Sequence, residues 1–427
     1  MKYLNIIIFL AGISFVFSSC TKKESEITQQ NNKNEIVLDS FASSCPYLTD
    51  DGKGNIVISW VREMSDSSRV MCYAISTDGG NTFGTPVIVA GSEKVNPHGE
   101  NLPKILFKPD GGIIAIWGIN KPNLQNEYAG LIYYAQSTDN GKTWSAPQPV
   151  SKDTASIDQR YFDIAMISEN NAGVIWLDNS RRIAKEGSTL YYAVTNGLRG
   201  FENEKPIAGP CCECCRTNLL VDKNGNINVT YRDLMHDSIR DIVHTISFDG
   251  GKTFVKNKRI SDDNWVIRGC PHTGPDVALN STGLNFVWYT MGGGSGVFFS
   301  QSTNNGNTFS PRNNISSAAS AKHPQIAVRR NNDLLIVWDE LNTSNENDRI
   351  GLQYRSASGI PGNIEYITSE NTSNSFPVLK IINDAKVLIA YTQNVVHEHG
   401  EEEAHDSHEN HSAHKKTRVV YQIYDIK

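Results

Sequence analysis

STDGGNTF at residues 76–83 returns as STDNGKTW at 137–144, SFDGGKTF at 247–254 and STNNGNTF at 302–309. Each copy follows an alternating or apolar run, VMCYAI, LIYYAQ, DIVHTI or VFFSQ, which predicts a strand running into a tight turn. Gly and Asn supply the positive φ angles of that turn, and the closing aromatic can pack back beneath it. A second spacing runs through the same chain. Pro46 and Trp60, Pro103 and Trp117, Phe162 and Trp176, Thr217 and Tyr231, Pro324 and Trp338, and Pro377 and Tyr391 each stand fourteen residues apart, and Pro275 with Trp288 is one residue shorter. Each pair brackets two strands and a Gly, Asn or Asp turn, so seven hairpins are counted.

A third strand follows each hairpin, and a fourth follows most, as in PVIVA, KNKRIS and IEYIT. The last unit ends with its third strand, Arg418 to Tyr424, and EIVLD at Glu35 to Asp39 is the free segment that would complete it. Four-stranded antiparallel units around an axis, with almost no amphipathic helical pattern, predict an all-β seven-bladed β-propeller whose N-terminal strand closes the last blade. Length alone would suggest two or three domains for 427 residues, but the repeat overrides that prior. Six blades is the alternative count.

The S-x-D-x-G-x-T-W/F motif resembles the Asp-box of the sialidase-like (BNR repeat) propellers, over most of the chain after residue 40. The resemblance implies a six-bladed sialidase-type ring as the alternative fold and an exo-sialidase-type glycoside hydrolase as one functional reading. It also implies an Arg-Ile-Pro motif in the first blade, a Tyr nucleophile with a nearby Glu, an Asp acid/base and three carboxylate-binding arginines. This chain departs from that pattern: the first-blade position reads Ser44, Cys45, Pro46, the Tyr position falls near His323, and the Glu position near Arg216. Arg62, Arg160, Arg216, Arg232 and Arg268 could still line a mouth, with Arg160, Arg216 and Arg232 as candidate anion-binding groups and Asp163 or Glu340 as acids.

The chemistry-bearing stretch is GPCCECCRTNLL, residues 209–220, with Cys211, Cys212, Cys214 and Cys215 immediately before the innermost hairpin of the fourth blade. Cys45 holds the matching position in the first blade, Cys270 and His272 in the fifth, and His323 in the sixth. Innermost strands all start on one face of a propeller, so these eight residues are expected around one funnel. Thiolate with imidazole is a soft donor set, which selects copper(I) first and zinc second. Cys211 and Cys212 cannot both face one small site on a regular strand, so an alternating subset is expected to bind. Seven cysteines remain beyond Cys20, so disulfides alone would leave one thiol over; paired cysteines in a protein- or glycan-binding scaffold are the third reading. Cys72 reads as a buried small hydrophobe, and His236 and His244 as ordinary surface or strand residues.

HEHGEEEAHDSHENHSAH at 397–414 interrupts the seventh blade, and its His397, His399, His405, His408, His411 and His414 suit weak capture of divalent metal. Residues 1–19 read as a lipoprotein signal peptide, with Lys2, an apolar run and Ser18-Ser19 before Cys20, the expected lipid anchor. Residues 20–34 are polar and expected to be a flexible tether to a propeller spanning 35–427. These features place the protein in a bacterial cell envelope, held by its anchor alone, with Thr21 resembling an outer-membrane sorting outcome. A metal ion and an envelope redox or metal-handling protein are the expected partners. Forty Lys+Arg against 46 Asp+Glu, with no long basic run in the body of the chain, exclude nucleic acid as a partner.

Overall fold

A computed structural model describes residues 28–29, 35–65, 68–155, 157–181, 183–184, 186–395 and 416–426. Seven antiparallel sheets stand in a ring. Their innermost strands are Ser43–Asp50, Lys104–Phe107, Gln159–Met166, Asn218–Val221, Asp276–Asn280, Lys322–Val328 and Asn374–Asn383. Each packs beside the next, and the seventh returns to the first. The expected closure is present: Ile36–Val37 pairs with Thr417–Asp425, Ile36 opposite Tyr421 and Val37 opposite Val420. Thr28–Gln29 lies parallel to Pro361–Tyr366 at the outer edge of the sixth blade. The ring therefore has seven blades, and the six-bladed alternative falls. Among the described residues no helix is long and apolar enough to cross a membrane.

The fourteen-residue spacing marks the core. Its second positions, Trp60, Trp117, Trp176, Tyr231, Trp288, Trp338 and Tyr391, are all at most 1% exposed, one large ring buried per blade. Burying a ring of this size removes 150–250 Å² from water, roughly 4–6 kcal/mol each before entropy is charged. In three blades the indole N–H is satisfied by a buried carboxylate: Trp60 Nε1 by Asp39, Trp288 Nε1 by Asp263 and Trp338 Nε1 by Glu340.

The octapeptide folds as a side-chain-locked turn. In the first copy the Ser76 hydroxyl donates to Asp78 and accepts from Gly80 N, while Thr82 donates to Asp78 from both its amide and its hydroxyl. The closing aromatic packs across to the preceding blade rather than beneath its own turn. Phe83 meets Tyr421, Trp144 meets Tyr73, Phe254 meets Tyr192 and Phe309 meets His244, all edge to face. The turn glycine is forced by this contact. Gly141 has φ +82°, and a Cβ there would lie 1.9 Å from the Tyr73 hydroxyl. The motif is thus an interblade staple.

Four innermost strands carry a bulge at their start. Cys45, Tyr161, His323 and Phe376 have φ of +59°, +57°, +50° and +54°, and pairing slips at each of these positions. A bulge with its first residue left-handed normally takes Gly, so four non-glycine side chains, three of them large rings, are held there at a conformational cost. Strain of this kind gathers at functional sites, and these strand starts ring one face of the propeller.

Candidate metal centre

Five of the eight expected donors meet. Cys212 Sγ lies 3.7 Å from Cys214 Sγ and 3.8 Å from Cys215 Sγ, and these three buried sulfurs form one compact trio. Cys214, Cys270 and His272 form a second, with Cys270 and His272 exposed. Blades four and five are neighbours, so the segment before Asn218–Val221 and the one before Asp276–Asn280 converge. The expected alternation along the cysteine stretch does not hold, because residues 212–215 form a turn rather than a strand, and adjacent Cys214 and Cys215 both face inward.

The electrostatics divide the sulfurs, favouring the thiolate at Cys212 and Cys270 and the thiol at Cys214 and Cys215. Hydrogen bonds from Cys214 and Cys215 to the Cys212 sulfur, with Arg240 Nη1 donating to it at 3.1 Å, hold the Cys212 thiol well below its usual range, whereas Cys214 is raised by the sulfurs of Cys212, Cys215 and Cys270 and Cys215 chiefly by burial. Cys214 and His272 together bring Cys270 down to about 5, and His272 is raised in turn by Cys270.

The other expected donors lie elsewhere. Cys45 is buried in the apolar cluster of blades seven, one and two, with Trp60 and Val61, and burial pushes its thiol up to about 12. Cys211 ends the outer strand of the third blade, Phe201–Cys211, bridged to Asp233, and burial raises it as well. His323 is at the right face, but Nδ1 pairs with Asp339 at 2.8 Å and Nε2 with the His272 carbonyl at 3.2 Å, leaving no lone pair for an ion. Burial alone would lower this imidazole; the Asp339 carboxylate outweighs it and raises it. Cys72 is buried opposite Trp60, as its small apolar reading predicts. Cys20 and the histidines of 397–414 lie outside the described residues.

Of the candidate anion-binding arginines, two are sealed in. Arg216 donates to Glu100 at 3.0 Å and to the carbonyls of Gly274 and Pro324. Arg232 is 1% exposed, with its guanidinium given to the carbonyls of Arg240, Thr273 and Tyr289. Arg160 does reach a cleft, but Asp158 holds it in a two-pronged pair at 2.7 and 2.6 Å. The candidate acids are structural too: Asp163 accepts Lys104 and Leu219 N, and Glu340 accepts Ser316, Trp338, Tyr366 and Arg349.

That cleft, about 790 Å³, lies between the second and third blades and is also lined by Cys214, Cys270 and His272. Its walls are polar, with Asn120, Asn126, Glu127, Asp158 and Glu186 among them. Three residues at the site escaped the sequence reading. His98 stands beside both Tyr161 and His272, and burial lowers it to about 4, so it is neutral. Glu100 joins the second blade to Arg216, and Arg240 approaches the cluster from the loop after the second strand of blade four. His98 sits in NPHGENLP just ahead of Lys104–Phe107, and that placement was the signal available for it.

Fold and site together define a seven-bladed propeller with a thiol-rich pocket where its inner strands begin. Residues 62–266 match the family model of the BNR repeat-like domain, and over that span the propeller is similar to it. No curated protein matches the sequence. Among solved structures, a protein of unknown function from Dyadobacter fermentans is similar at 15% identity, with 92% of this chain and 98% of that one covered and a TM-score of 0.55. An α-L-arabinanase from Penicillium chrysogenum is similar at 13% identity, covering 77% of this chain and 99% of its own, with a TM-score of 0.52. An ulvan lyase is similar at 10% identity, 84% and 93% coverage and a TM-score of 0.54. The likeness in each case is one of fold.

Proposed function

We propose that this propeller binds a soft transition metal, copper(I) or zinc, through Cys212, Cys214, Cys215, Cys270 and His272. The observation that carries the reading is the sulfur spacing. Two thiolates on one tetrahedral ion at the usual Zn–S length of about 2.3 Å stand about 3.8 Å apart, and Cys212 Sγ lies 3.7 and 3.8 Å from its two neighbours. A disulfide would need about 2.05 Å, and among the described residues no cysteine is so bonded. Three buried sulfurs in one pocket, with Arg240 as their cationic neighbour, suit a three-coordinate copper(I) centre better than zinc, which in structural sites takes four ligands. The lipobox-like Ser18-Ser19-Cys20 supports an anchored protein of the bacterial envelope and Thr21 its placement at the outer membrane, where an envelope redox or metal-handling protein would be the partner for its ion.

Elemental analysis of protein purified without a histidine tag tests this. Copper or zinc should accompany the wild type and be lost from a Cys214→Ser, Cys215→Ser double variant. Metal-free protein that takes up neither ion under reducing conditions would overturn the reading.

Sialidase-type hydrolysis is the rival reading, and the polar cleft is what favours it. The guanidiniums of Arg216 and Arg232 are enclosed, however, and the cleft keeps Arg160 already paired. A fluorogenic sialoside should remain uncleaved.

A further inference from the structure

From the arrangement of the five donors we infer that the centre holds two ions bridged by the Cys214 sulfur, an inner one on Cys212, Cys214 and Cys215 and an outer one on Cys214, Cys270 and His272. This rests on the metal-binding reading above and adds its stoichiometry and its two unlike positions. Within each trio the donor atoms all lie within 4.8 Å of one another, and among the described residues no larger or mixed group does. Since Cys214 belongs to both trios, Cys212 and Cys215 must each stand farther than 4.8 Å from Cys270 and from His272. Two sulfurs on a single ion can be no farther apart than twice the metal–sulfur length, about 4.6 Å. One ion therefore cannot gather all five donors without moving the chain, whereas two ions sharing Cys214 can.

The two positions differ in their surroundings. The inner trio is buried, sits against Arg240 and has only sulfur donors. The outer trio has two exposed members and lines the 790 Å³ cleft, so its ion keeps an open coordination position toward solvent. An open position is what distinguishes an exchangeable or reactive metal from a closed structural one. The inner ion is the retained one and the outer ion the one that enters, leaves or takes an external ligand through the cleft.

The test is cadmium-113 NMR on the full chain loaded with cadmium(II) under reducing conditions, because thiolate-bound cadmium resonates far from cadmium held by imidazole and carboxylate alone, as in residues 397–414. Two thiolate-type signals, coupled to each other through the shared sulfur, are expected. A Cys270→Ser, His272→Ala variant, altered only at exposed positions and so expected to fold, should keep one signal; a Cys212→Ser, Cys215→Ser variant should keep the other. A chelator should strip the outer signal first. A single thiolate-type signal abolished by either pair of substitutions would overturn the two-ion centre and leave metal binding standing. Absence of any thiolate-bound cadmium in the wild type would overturn both.

Discussion

Arg216 of the fourth blade donates to Glu100 of the second across the centre of the ring, Nη1 to Oε1 at 3.0 Å, with both side chains almost wholly buried. Glu100 also accepts the amides of Arg216 and Gly274, so one carboxylate holds the ends of both donor-bearing segments, 212–215 and 270–272. Removing one partner of a buried ion pair leaves an uncompensated charge and costs about 3–5 kcal/mol. Glu100→Ala should lower the urea midpoint by an amount in that range. Glu100→Gln keeps an acceptor for the amides and should lose less stability while still weakening metal binding. Equal midpoints for wild type and Glu100→Ala would show that the pair does not brace the ring.

Accessibility separates the thiols. Among the described cysteines Cys270 alone is exposed, so brief treatment of the native, metal-free protein with iodoacetamide should label Cys270 before any other of these seven. Prior loading with copper(I) or zinc should suppress that labelling. Peptide mass spectrometry reads both, and labelling that ignores the metal would remove Cys270 from the ligand set.

Cys45 offers the matching negative control. Its side chain fills apolar space beside Trp60 and Val61, so Cys45→Ala should cost about 1 kcal/mol, comparable with deletion of one buried methyl group, and leave metal content unchanged. Alanine tolerates the local φ of +59° about as well as cysteine does. Loss of metal in this variant would return Cys45 to the centre.

The contrast between Cys45 and Cys270 shows what the sequence could reveal. Repeat spacing placed both at the start of an innermost strand, hence on one face, and the blade count and the closing strand Ile36–Val37 followed from the same period. Spacing does not say which residues on that face touch. Blades four and five are adjacent, so Cys214 meets Cys270; blade one lies on the other side of the axis from them, and Cys45 is drawn into the core between its own neighbours. His323 is one blade further on, yet the choice between a metal and a carboxylate was made by Asp339, sixteen residues away on the paired strand. Arg240 and Glu100 were illegible because nothing in a lone Arg or Glu announces a sulfur or a guanidinium brought to it by the fold.

The interblade staples should set the acid limit of the fold. Hydrogen bonds from Thr82 and Thr143 hold Asp78 and Asp139 down at about 2, from an ordinary 3.8, and Asp249 is lowered in the same way by Thr253. A carboxyl whose folded value is depressed stabilises the native state above its unfolded value, and that stabilisation disappears as pH falls from about 4 toward 2. The fourth copy shows what a neutral side chain does there: Asn304 still accepts from Thr308 N, and its amide donates to the Thr308 hydroxyl. A triple Asp78→Asn, Asp139→Asn, Asp249→Asn variant should therefore fold and be less stable than wild type at pH 7, with the gap narrowing as pH falls from about 4 to 2. Urea midpoints at pH 7, 4 and 2 give the comparison as a difference, which cancels the many other carboxyls titrating over the same range. A stability gap that stays constant down to pH 2 would mean that the turn is held by its backbone and aromatic contacts, and that the aspartate charge adds nothing.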